Sequence, residues 1–524
     1  MLKRRRSSKV ETSAEIKLSE ASEPDDLSFD EIEPGLVYAR VFIDKRDQSI
    51  QYHLIEPYLD QDMIEDIEDL KNAIIDEVSE ERLASDNRNA DFEGVYNRVL
   101  ERMRLDYPPN ELLVIHYYVK RDIIGFGPID GLMKDQNIED ISCDKPGISV
   151  FAFHRNYGFI PTNVVFKDDA VLNTYVKRVV QDSGKHISIS VPIIDTTLKD
   201  GSRLQASLGK YITNNGPAFT VRKFKANPLS PVSLIMTNTA SARIFAYLWT
   251  ITEYGANMMV AGGTGSGKTT LLNAILLFIP PQNKVVSIED TREINIPHEN
   301  WIAMVTRPGF GEFNNETGKR AGEIDMFDLL AASLRQRPNY VVIGEVRGKE
   351  AFTVFQAMSA GRYGFGTFHA EDPKTLIHRL ESPPINIPRT LITALDVIIM
   401  QSQISYNGKL VRRAVSVSEL TGLDPGSNDI IVNNIFKWNP STDNFTFSGF
   451  SYVLNRIAQR IGKSEVELER EVEARERILN KMIENKFYTY RDVTRMITLF
   501  YKDRDALLKE LNITPDQDAI NANP

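Results

Sequence analysis

Apolar residues recur along this chain with two different spacings, which divide it into two regions. In the first, strand-like VYARVFI and QYHLIEP stand beside MIEDIEDLKNAIIDEV, whose apolar positions have helical spacing. Strand-like ISVFAFH, NVVF and AFTVRKF follow, separated by turn-rich TLKDGSR and ITNNGPA. This mixture predicts an N-terminal α+β domain at 37–225, with a helical part at about 60–120 and a compact α/β part at about 121–225.

The second region alternates short apolar runs with helical spans. The runs are NMMVAG, KVVSIED, YVVIGEV, GFGTFHA and DVIIMQS, and their alternation with helices predicts an α/β domain with a parallel sheet. Between the regions, ANPLSPVSL is rich in proline and serine, which predicts a linker at 226–236. The C-terminal domain then covers 237–512 and ends in helices, one of them started by a capping box of Ser464 and Glu467.

Composition narrows the class of protein. The first 36 residues are polar without a hydrophobic period, so we expect mobile tails at 1–36 and at 513–524. Of the 524 residues, 42% are hydrophobic, which excludes wholesale disorder. The net charge of −10 disfavours a protein that coats nucleic acid. Cys143 is the single cysteine, which excludes an intramolecular disulfide and a multi-cysteine zinc cluster.

Membrane and export signals do not show in the sequence. No apolar run reaches the roughly 18 residues of a membrane span, and nothing near Met1 combines basic residues with an apolar core as a secretory signal does. We therefore expect a cytoplasmic protein.

The strongest chemical signal is GGTGSGKTT at 262–270, placed between the apolar run NMMVA and the helical run TLLNAILLFI. It satisfies the P-loop pattern GxxxxGK[ST], in which glycines let backbone N–H groups face phosphate oxygens at a helix N-terminus. We expect Lys268 to reach the β- and γ-phosphates and the Thr269 hydroxyl to ligate Mg²⁺. The pattern predicts that ATP or GTP is bound by Gly262, Gly263, Thr264, Gly265, Ser266, Gly267, Lys268, Thr269 and Thr270.

Acidic residues at two other strand ends are candidates for metal binding and catalysis. Glu345 ends YVVIGE, while Glu289, Asp290 and Glu293 lie in IEDTRE after the next strand beyond the P-loop helix. Carboxylates at the C-terminal ends of strands face the ligand crevice of an open α/β sheet. We expect Glu345 and Asp290 as metal ligands and one of the glutamates as general base. His369, at the end of GFGTFH, is either a γ-phosphate sensor or a structural histidine.

In this order, the motifs GGTGSGKTT, IEDTRE, LRQRPNYVVIGEVRG and GTFHAEDPKTLIHRL resemble those of the secretion-superfamily ATPases. These enzymes drive type II secretion, type IV pili, archaeal pili and archaella. The resemblance extends over about 37–505 and is closest to the archaellum assembly and motor ATPase. Bacterial pilus-extension and type II secretion members commonly carry a four-cysteine zinc module, which a chain with one cysteine lacks. This difference favours the archaeal or retraction-type branch.

The resemblance implies a homo-hexameric ring whose C-terminal halves are RecA-like P-loop ATPase domains using ATP and Mg²⁺. Such a ring pushes on a polytopic membrane platform protein from the inner face of the cell membrane. Glu345 matches the Walker B carboxylate, and the general base is expected in the acidic box. Arg203 and Arg222 match arginines that reach the phosphates from the N-terminal domain, where a guanidinium stabilises γ-phosphate charge. The alternative is that both are surface salt-bridge partners.

The favoured function is therefore a motor ATPase that assembles, and in one variant also rotates, an archaellum or type IV pilus-like filament. An archaeal adhesive-pilus or secretion ATPase is the alternative within the same family. A nucleic-acid translocase is a second class, disfavoured by the acidic charge and by the small size of the basic cluster at residues 3–6. A nucleotide-gated scaffold with little turnover is a third.

Overall fold

The computed structural model divides into two compact units, which meet in the chain between Phe224 and Lys225. It describes residues 26–77, 88–210, 212–224, 228–307, 309–314, 318–406 and 409–513. None of the described helices is both long and apolar enough to span a membrane.

The N-terminal unit is built on a nine-stranded mixed sheet, ordered β1-β2-β3-β6-β5-β4-β9-β8-β7. Within the described residues, five helices accompany the sheet, and their apolar faces share one hydrophobic core with it. The α+β class predicted for this region is confirmed. The strands are β1 (Asp26–Glu33), β2 (Val37–Ile43), β3 (Ile50–Ile55), β4 (Ile138–Cys143), β5 (Ser149–His154), β6 (Gly158–Val165), β7 (Ile193–Thr197), β8 (Arg203–Ser207) and β9 (Ala218–Arg222). The helices are α1 (Gln61–Glu77), α2 (Arg88–Met103), α3 (Pro109–Ile123), α4 (Asp130–Lys134) and α5 (Asp169–Asp182).

Strand β1 corrects the mobile tail predicted at 1–36. It pairs antiparallel with β2, and the Phe29 ring stacks on Tyr38 with 5.5 Å between ring centroids. The strand lies at the edge of the sheet and carries acidic residues among its apolar ones, so its composition resembles that of a polar tail. Residues 1–25 of the predicted tail lie outside the described residues.

The linker predicted at 226–236 is also corrected, because helix α6 (Pro231–Met236) occupies its second half. The Ser230 hydroxyl accepts a hydrogen bond from the Ser233 N–H at 3.0 Å, and Pro231 takes the first helical position. Serine at the N-cap and proline at the next position are the usual start of a helix. The proline and serine residues that predicted a linker are therefore the residues that start this helix.

The C-terminal unit contains a second nine-stranded sheet, ordered β12-β11-β15-β16-β10-β17-β18-β19-β20. The six strands from β12 to β17 in this order are parallel, which confirms the predicted α/β class, whereas β18, β19 and β20 extend the sheet antiparallel. The strands are β10 (Met258–Gly262), β11 (Val285–Glu289), β12 (Trp301–Val305), β15 (Tyr340–Ile343), β16 (Tyr363–Phe368), β17 (Val397–Tyr406), β18 (Lys409–Leu423), β19 (Ile430–Asn439) and β20 (Asn444–Phe447), with β13 (Phe310–Asn314) and β14 (Lys319–Ala321) forming a separate hairpin.

Helices cover both faces of the parallel part of this sheet. Alternate strand residues belong to different cores: Met258 and Val260 pack on one face, Met259 and Ala261 on the other. Burial on both faces explains why these strands are continuous apolar runs in the sequence. One face carries α6, α7 (Ala242–Glu253), α8 (Lys268–Leu276), α13 (Tyr452–Ile461), α14 (Glu465–Glu484), α15 (Tyr490–Lys502) and α16 (Arg504–Glu510); the other carries α9 (Met326–Leu334), α10 (Glu350–Ser359), α11 (Pro373–Glu381) and α12 (Arg389–Ile392).

A buried guanidinium joins the C-terminal helices to this core. The Arg475 side chain is 1% exposed and pairs with Glu253 at 2.5 Å and with Glu471 at 2.7 Å. Its guanidinium also lies over the Phe500 ring, 5.1 Å from the centroid. Because Glu471 is itself 6% exposed, removing Arg475 leaves a buried carboxylate without its main partner.

We predict that Arg475→Ala lowers the free energy of unfolding by about 3–5 kcal/mol, the usual cost of breaking a buried ion pair from one side. Arg470→Ala, on the exposed side of the same helix, is the control and is expected to change it by less than about 0.5 kcal/mol. Urea denaturation followed by tryptophan fluorescence measures this unit, since all three tryptophans lie in it. Equal stability of the two variants would contradict the prediction.

Candidate active site

The P-loop connects β10 to α8 at the carboxyl edge of the parallel sheet. Gly267 caps α8 with a φ of +88°, a conformation that favours glycine. At the other end of the loop, a Cβ on Gly262 would lie 2.0 Å from the Gln401 carbonyl oxygen. These two positions therefore require glycine, one for its backbone conformation and one for the close approach of β17.

Lys268 lies over the loop. Its Nζ donates to the Gly263 carbonyl oxygen at 2.7 Å, and the Ser266 hydroxyl donates to the same oxygen at 2.9 Å. Thr269 and Thr270 follow in the first turn of α8 and are half-buried. The predicted phosphate-binding residues thus form one continuous loop and helix start, as the pattern requires.

Strands β17 and β18 contribute polar residues that the sequence interpretation missed. Arg412, on β18, donates from Nε to the Gly265 carbonyl oxygen at 3.0 Å. This hydrogen bond joins the P-loop to the antiparallel part of the sheet. Gln401 is 2% exposed, and its Oε1, like Nε2 of Gln403, is buried with no hydrogen-bond partner among the described residues. In the sequence, the signal for this polar site was Gln401, which directly follows the apolar run DVIIM.

Glu289 ends β11 and is buried, with 2% of its surface exposed. Its Oε1 accepts the N–H groups of Glu293 at 2.9 Å and Ile294 at 2.8 Å, so it shapes the acidic loop that follows. Burial raises the pKa of the Glu289 carboxyl to about 8, against the opposing effect of these two N–H groups. Gly344 permits the close packing of β15 here, since a Cβ on it would lie 2.9 Å from Glu289 Cγ.

Glu345 is the centre of a network of polar contacts that connects three of the predicted residues. One carboxylate oxygen lies 3.2 Å from His369 Nε2 and the other 3.3 Å from Arg347 Nε. Arg347 also pairs with Asp290 through Nη2 at 2.6 Å. Arg347 was missed in the sequence, although it lies in the motif that contains Glu345. Burial and then the nearby Lys268 charge lower the pKa of His369, which favours the neutral imidazole at neutral pH.

The remaining predicted residues are Glu293, in the acidic loop, and two arginines of the N-terminal unit. The Glu293 carbonyl accepts a hydrogen bond from Asn273 Nδ2 at 3.0 Å, which ties the acidic loop to α8. Arg203 and Arg222 belong to the N-terminal unit, directly opposite each other on β8 and β9. Arg203 Nε lies 3.0 and 3.1 Å from the two carboxylate oxygens of Asp195. Both arginines are exposed.

The residues fit a metal held mainly by its nucleotide. Among the described residues, no group of three or more His, Cys, Asp and Glu side chains is placed to hold a metal ion. Mg²⁺ in nucleotide sites usually takes one or two protein carboxylates and fills its other positions with phosphate oxygens and water. The Thr269 hydroxyl and the carboxylates of Glu345 and Asp290 are oxygen donors of the kind such a site needs.

Comparisons with known proteins agree with the predicted family. The model of the family described as "Type II/IV secretion system protein" matches residues 125–428. The uncharacterised protein MJ0900 of Methanocaldococcus jannaschii is 38% identical over 416 residues, which cover 78% of this chain and 74% of the relative. The protein VirB11 of Agrobacterium fabrum is 29% identical over 321 residues, covering 52% of this chain and 87% of VirB11.

Two solved structures show weaker likeness. The VirB11 ATPase of the Brucella suis type IV secretion system, in complex with sulphate, has 21% identity and a TM-score of 0.28, covering 55% of this chain and 94% of that one. The pilus retraction motor PilT with bound ADP has 16% identity and a TM-score of 0.37, covering 74% and 96%. The family match over more than half of the sequence, together with the identity to MJ0900, shows that this chain belongs to the type II/IV secretion system protein family.

Proposed function

We propose that this protein is a Mg²⁺-dependent ATPase whose hydrolysis drives a secretion or pilus-type machine. The observation that carries this proposal is the arrangement at one sheet edge, where adjacent strands β11, β15, β16 and β10 end in the acidic loop, Glu345, His369 and the P-loop. A P-loop next to a hydrogen-bonded carboxylate is what phosphoryl transfer to water requires.

The residues divide the reaction among them. Lys268 exchanges its bond to the Gly263 carbonyl for β- and γ-phosphate oxygens. Thr269, Glu345 and Asp290 would hold Mg²⁺. When bound, Mg²⁺ would supply positive charge beside the β- and γ-phosphates. Water attacks the γ-phosphorus as the bond to the β–γ bridging oxygen breaks, and its proton passes to a carboxylate, leaving ADP and phosphate. Neutral His369 orients the Glu345 carboxylate.

Glu289 and Glu293 have different parts in this proposal. Glu289 is buried and accepts two backbone hydrogen bonds, so we assign it the positioning of the acidic loop. Its raised pKa keeps the carboxyl protonated at neutral pH, which makes it a poor proton acceptor there. Glu293 and Glu345, which are more accessible, are the candidate general bases.

Arg203 and Arg222 are proposed to supply positive charge to the γ-phosphate when the N-terminal domain closes. The support is their direct opposition on β8 and β9, which concentrates two guanidinium groups on one exposed face. Arginine suits phosphate because its paired N–H groups match two phosphate oxygens.

We further propose a homo-hexamer at the inner face of the cell membrane, acting on a polytopic platform protein to assemble an archaellum or type IV pilus-like filament. The motif resemblance and the membership of the type II/IV secretion system protein family support this proposal. An archaeal adhesive-pilus or secretion ATPase is the alternative within the family. Nucleic acid is not an expected substrate, since the net charge is −10.

Two substitutions test the enzyme. Lys268→Ala is expected to abolish turnover and weaken ATP binding, because the phosphates lose their main cation. Glu345→Gln is expected to keep ATP binding and lower turnover by at least about 100-fold, as removal of one electrostatic group does in other active sites. Phosphate release and binding of a fluorescent ATP analogue measure both effects. Lys437→Ala, an exposed lysine on β19, is the control; wild-type turnover in Glu345→Gln would refute the assignment.

A second test addresses the arginines. Arg203→Ala is expected to leave ATP binding measurable and reduce turnover by roughly 10³-fold, the size of an arginine-finger effect. Asp195→Asn removes the same ion pair but keeps the guanidinium, so it separates the two readings of Arg203. If the guanidinium acts on phosphate, Asp195→Asn retains turnover. Unchanged turnover in Arg203→Ala would show that Arg203 is only a surface salt-bridge partner.

Glu289 predicts a pH dependence of stability. Its pKa is about 8 in the folded chain against a reference value of 4.5, so the folded state binds the extra proton between these values. The free energy of unfolding should therefore fall as pH rises from about 4.5 to 8. Glu289→Gln, which keeps an oxygen acceptor and cannot ionise, should lose this part of the dependence. Melting temperatures of both proteins from pH 5 to 8.5 measure it; parallel curves would place the Glu289 pKa near its ordinary value.

A further inference from the structure

A cavity of about 280 Å³ lies at the amino-terminal edge of the C-terminal sheet, opposite the P-loop. Its wall includes the residues just before β10 and β17, the start of β16, and one side of α13. The volume is close to the lower limit of about 300 Å³ for ligand pockets. The five residues of β10 separate it from the P-loop by roughly 17 Å, so it is distinct from the active site.

Three arginines line this cavity, Arg362, Arg456 and Arg460, together with one acidic residue, Asp396. Arg456 pairs with Asp396, whose second oxygen accepts the Asn257 N–H at 2.7 Å, so this carboxylate is already shared. The cavity thus holds more positive than negative charge, in a chain whose net charge is −10.

Arg362 and Arg460 carry the excess. Arg460 donates to the Tyr254 carbonyl oxygen and has no carboxylate partner within the described part of the chain. Arg362 is half-buried, and its side chain forms no ion pair or hydrogen bond with any described residue. Arg460 is exposed and Arg362 half-buried, so an anionic ligand can form charge-assisted hydrogen bonds with both guanidinium groups.

One part of the wall is apolar and includes Met358, Ile457 and Tyr363, while Asn257, Ser359 and Thr393 add polar groups to it. Tyr363 also packs against the core behind the cavity. A bare oxyanion would contact the guanidinium groups and leave the apolar wall uncovered. A glutamate side chain, with a carboxylate at the end of a methylene stem, satisfies both parts of the wall.

We propose that this cavity binds an acidic segment of a partner protein, with glutamate carboxylates seated on Arg362 and Arg460. The binding site is separate from the ATP site and requires no nucleotide. Its test is therefore independent of the proposed hydrolysis.

The test is an anisotropy titration of the full chain with fluorescein-labelled hexaglutamate, at about 50 mM salt because higher salt screens exposed charges. Saturable binding is expected, with Arg362→Gln and Arg460→Gln each weakening it at least about tenfold, the loss of one charge-assisted hydrogen bond. Arg470→Gln changes the net charge equally on the exposed face of α14 and should leave the affinity unchanged. Hexaglutamine tests the need for carboxylates.

Three results would overturn the proposal: no hexaglutamate binding, binding unchanged in both Arg362→Gln and Arg460→Gln, or equal binding of hexaglutamine. A further arm uses inorganic phosphate as competitor. If phosphate binds as tightly as the peptide and with the same dependence on Arg362, the site serves a free oxyanion and the acidic-segment assignment fails. Melting temperatures show that the variants are folded, which is expected since the Arg362 side chain has no described partner to lose.

Discussion

The burial of a parallel sheet on both faces is the constraint on which the C-terminal unit depends. In a parallel sheet, a crossover connection returns the chain to the starting edge before each new strand. All strands therefore run in the same direction, and their carboxyl ends lie at one edge. The P-loop, the acidic loop, Glu345 and His369 are far apart in the sequence yet meet at this edge. The site is therefore a consequence of strand direction, and the apolar cores on each face hold it in place.

Close backbone packing sharpens this arrangement. Gly262 accommodates the Gln401 carbonyl and Gly344 accommodates the Glu289 side chain, so neighbouring strands approach without side-chain obstruction. The same packing removes water from Glu289, which accounts for its raised pKa. A carboxyl group that shapes a loop and one proposed to take part in hydrolysis thus lie at adjacent strand ends, and they differ in burial.

The antiparallel extension adds a second kind of support. Strand β18 places Arg412 against the P-loop, and β17 contributes Gln401 to the same region. At the opposite edge, the starts of β10, β16 and β17 line the basic cavity. Strands β10, β16 and β17 therefore run through an apolar core from the basic cavity at one edge of the sheet to the P-loop region at the other. Each polar site lies where these strands leave the core.

Several features followed from the sequence itself. The P-loop is a local pattern, and the buried parallel strands are continuous apolar runs, so both were predictable from neighbouring residues. The capping box of Ser464 and Glu467 is confirmed at the start of α14 for the same reason. Family membership followed from the order of four motifs. These features depend on residues close together in the chain, where spacing and chemical type carry the information.

Tertiary structure decided the rest. Strand β1 was missed because an edge strand can be polar, so its composition resembled that of a tail. The helix start at Ser230 was mistaken for a linker. The pairing of Arg347 with Glu345 and Asp290, the burial of Glu289 and the gathering of Arg362 with Arg460 join residues from different elements. Desolvation and charge pairing depend on distances across the fold, and such distances are set only when the separate elements pack together.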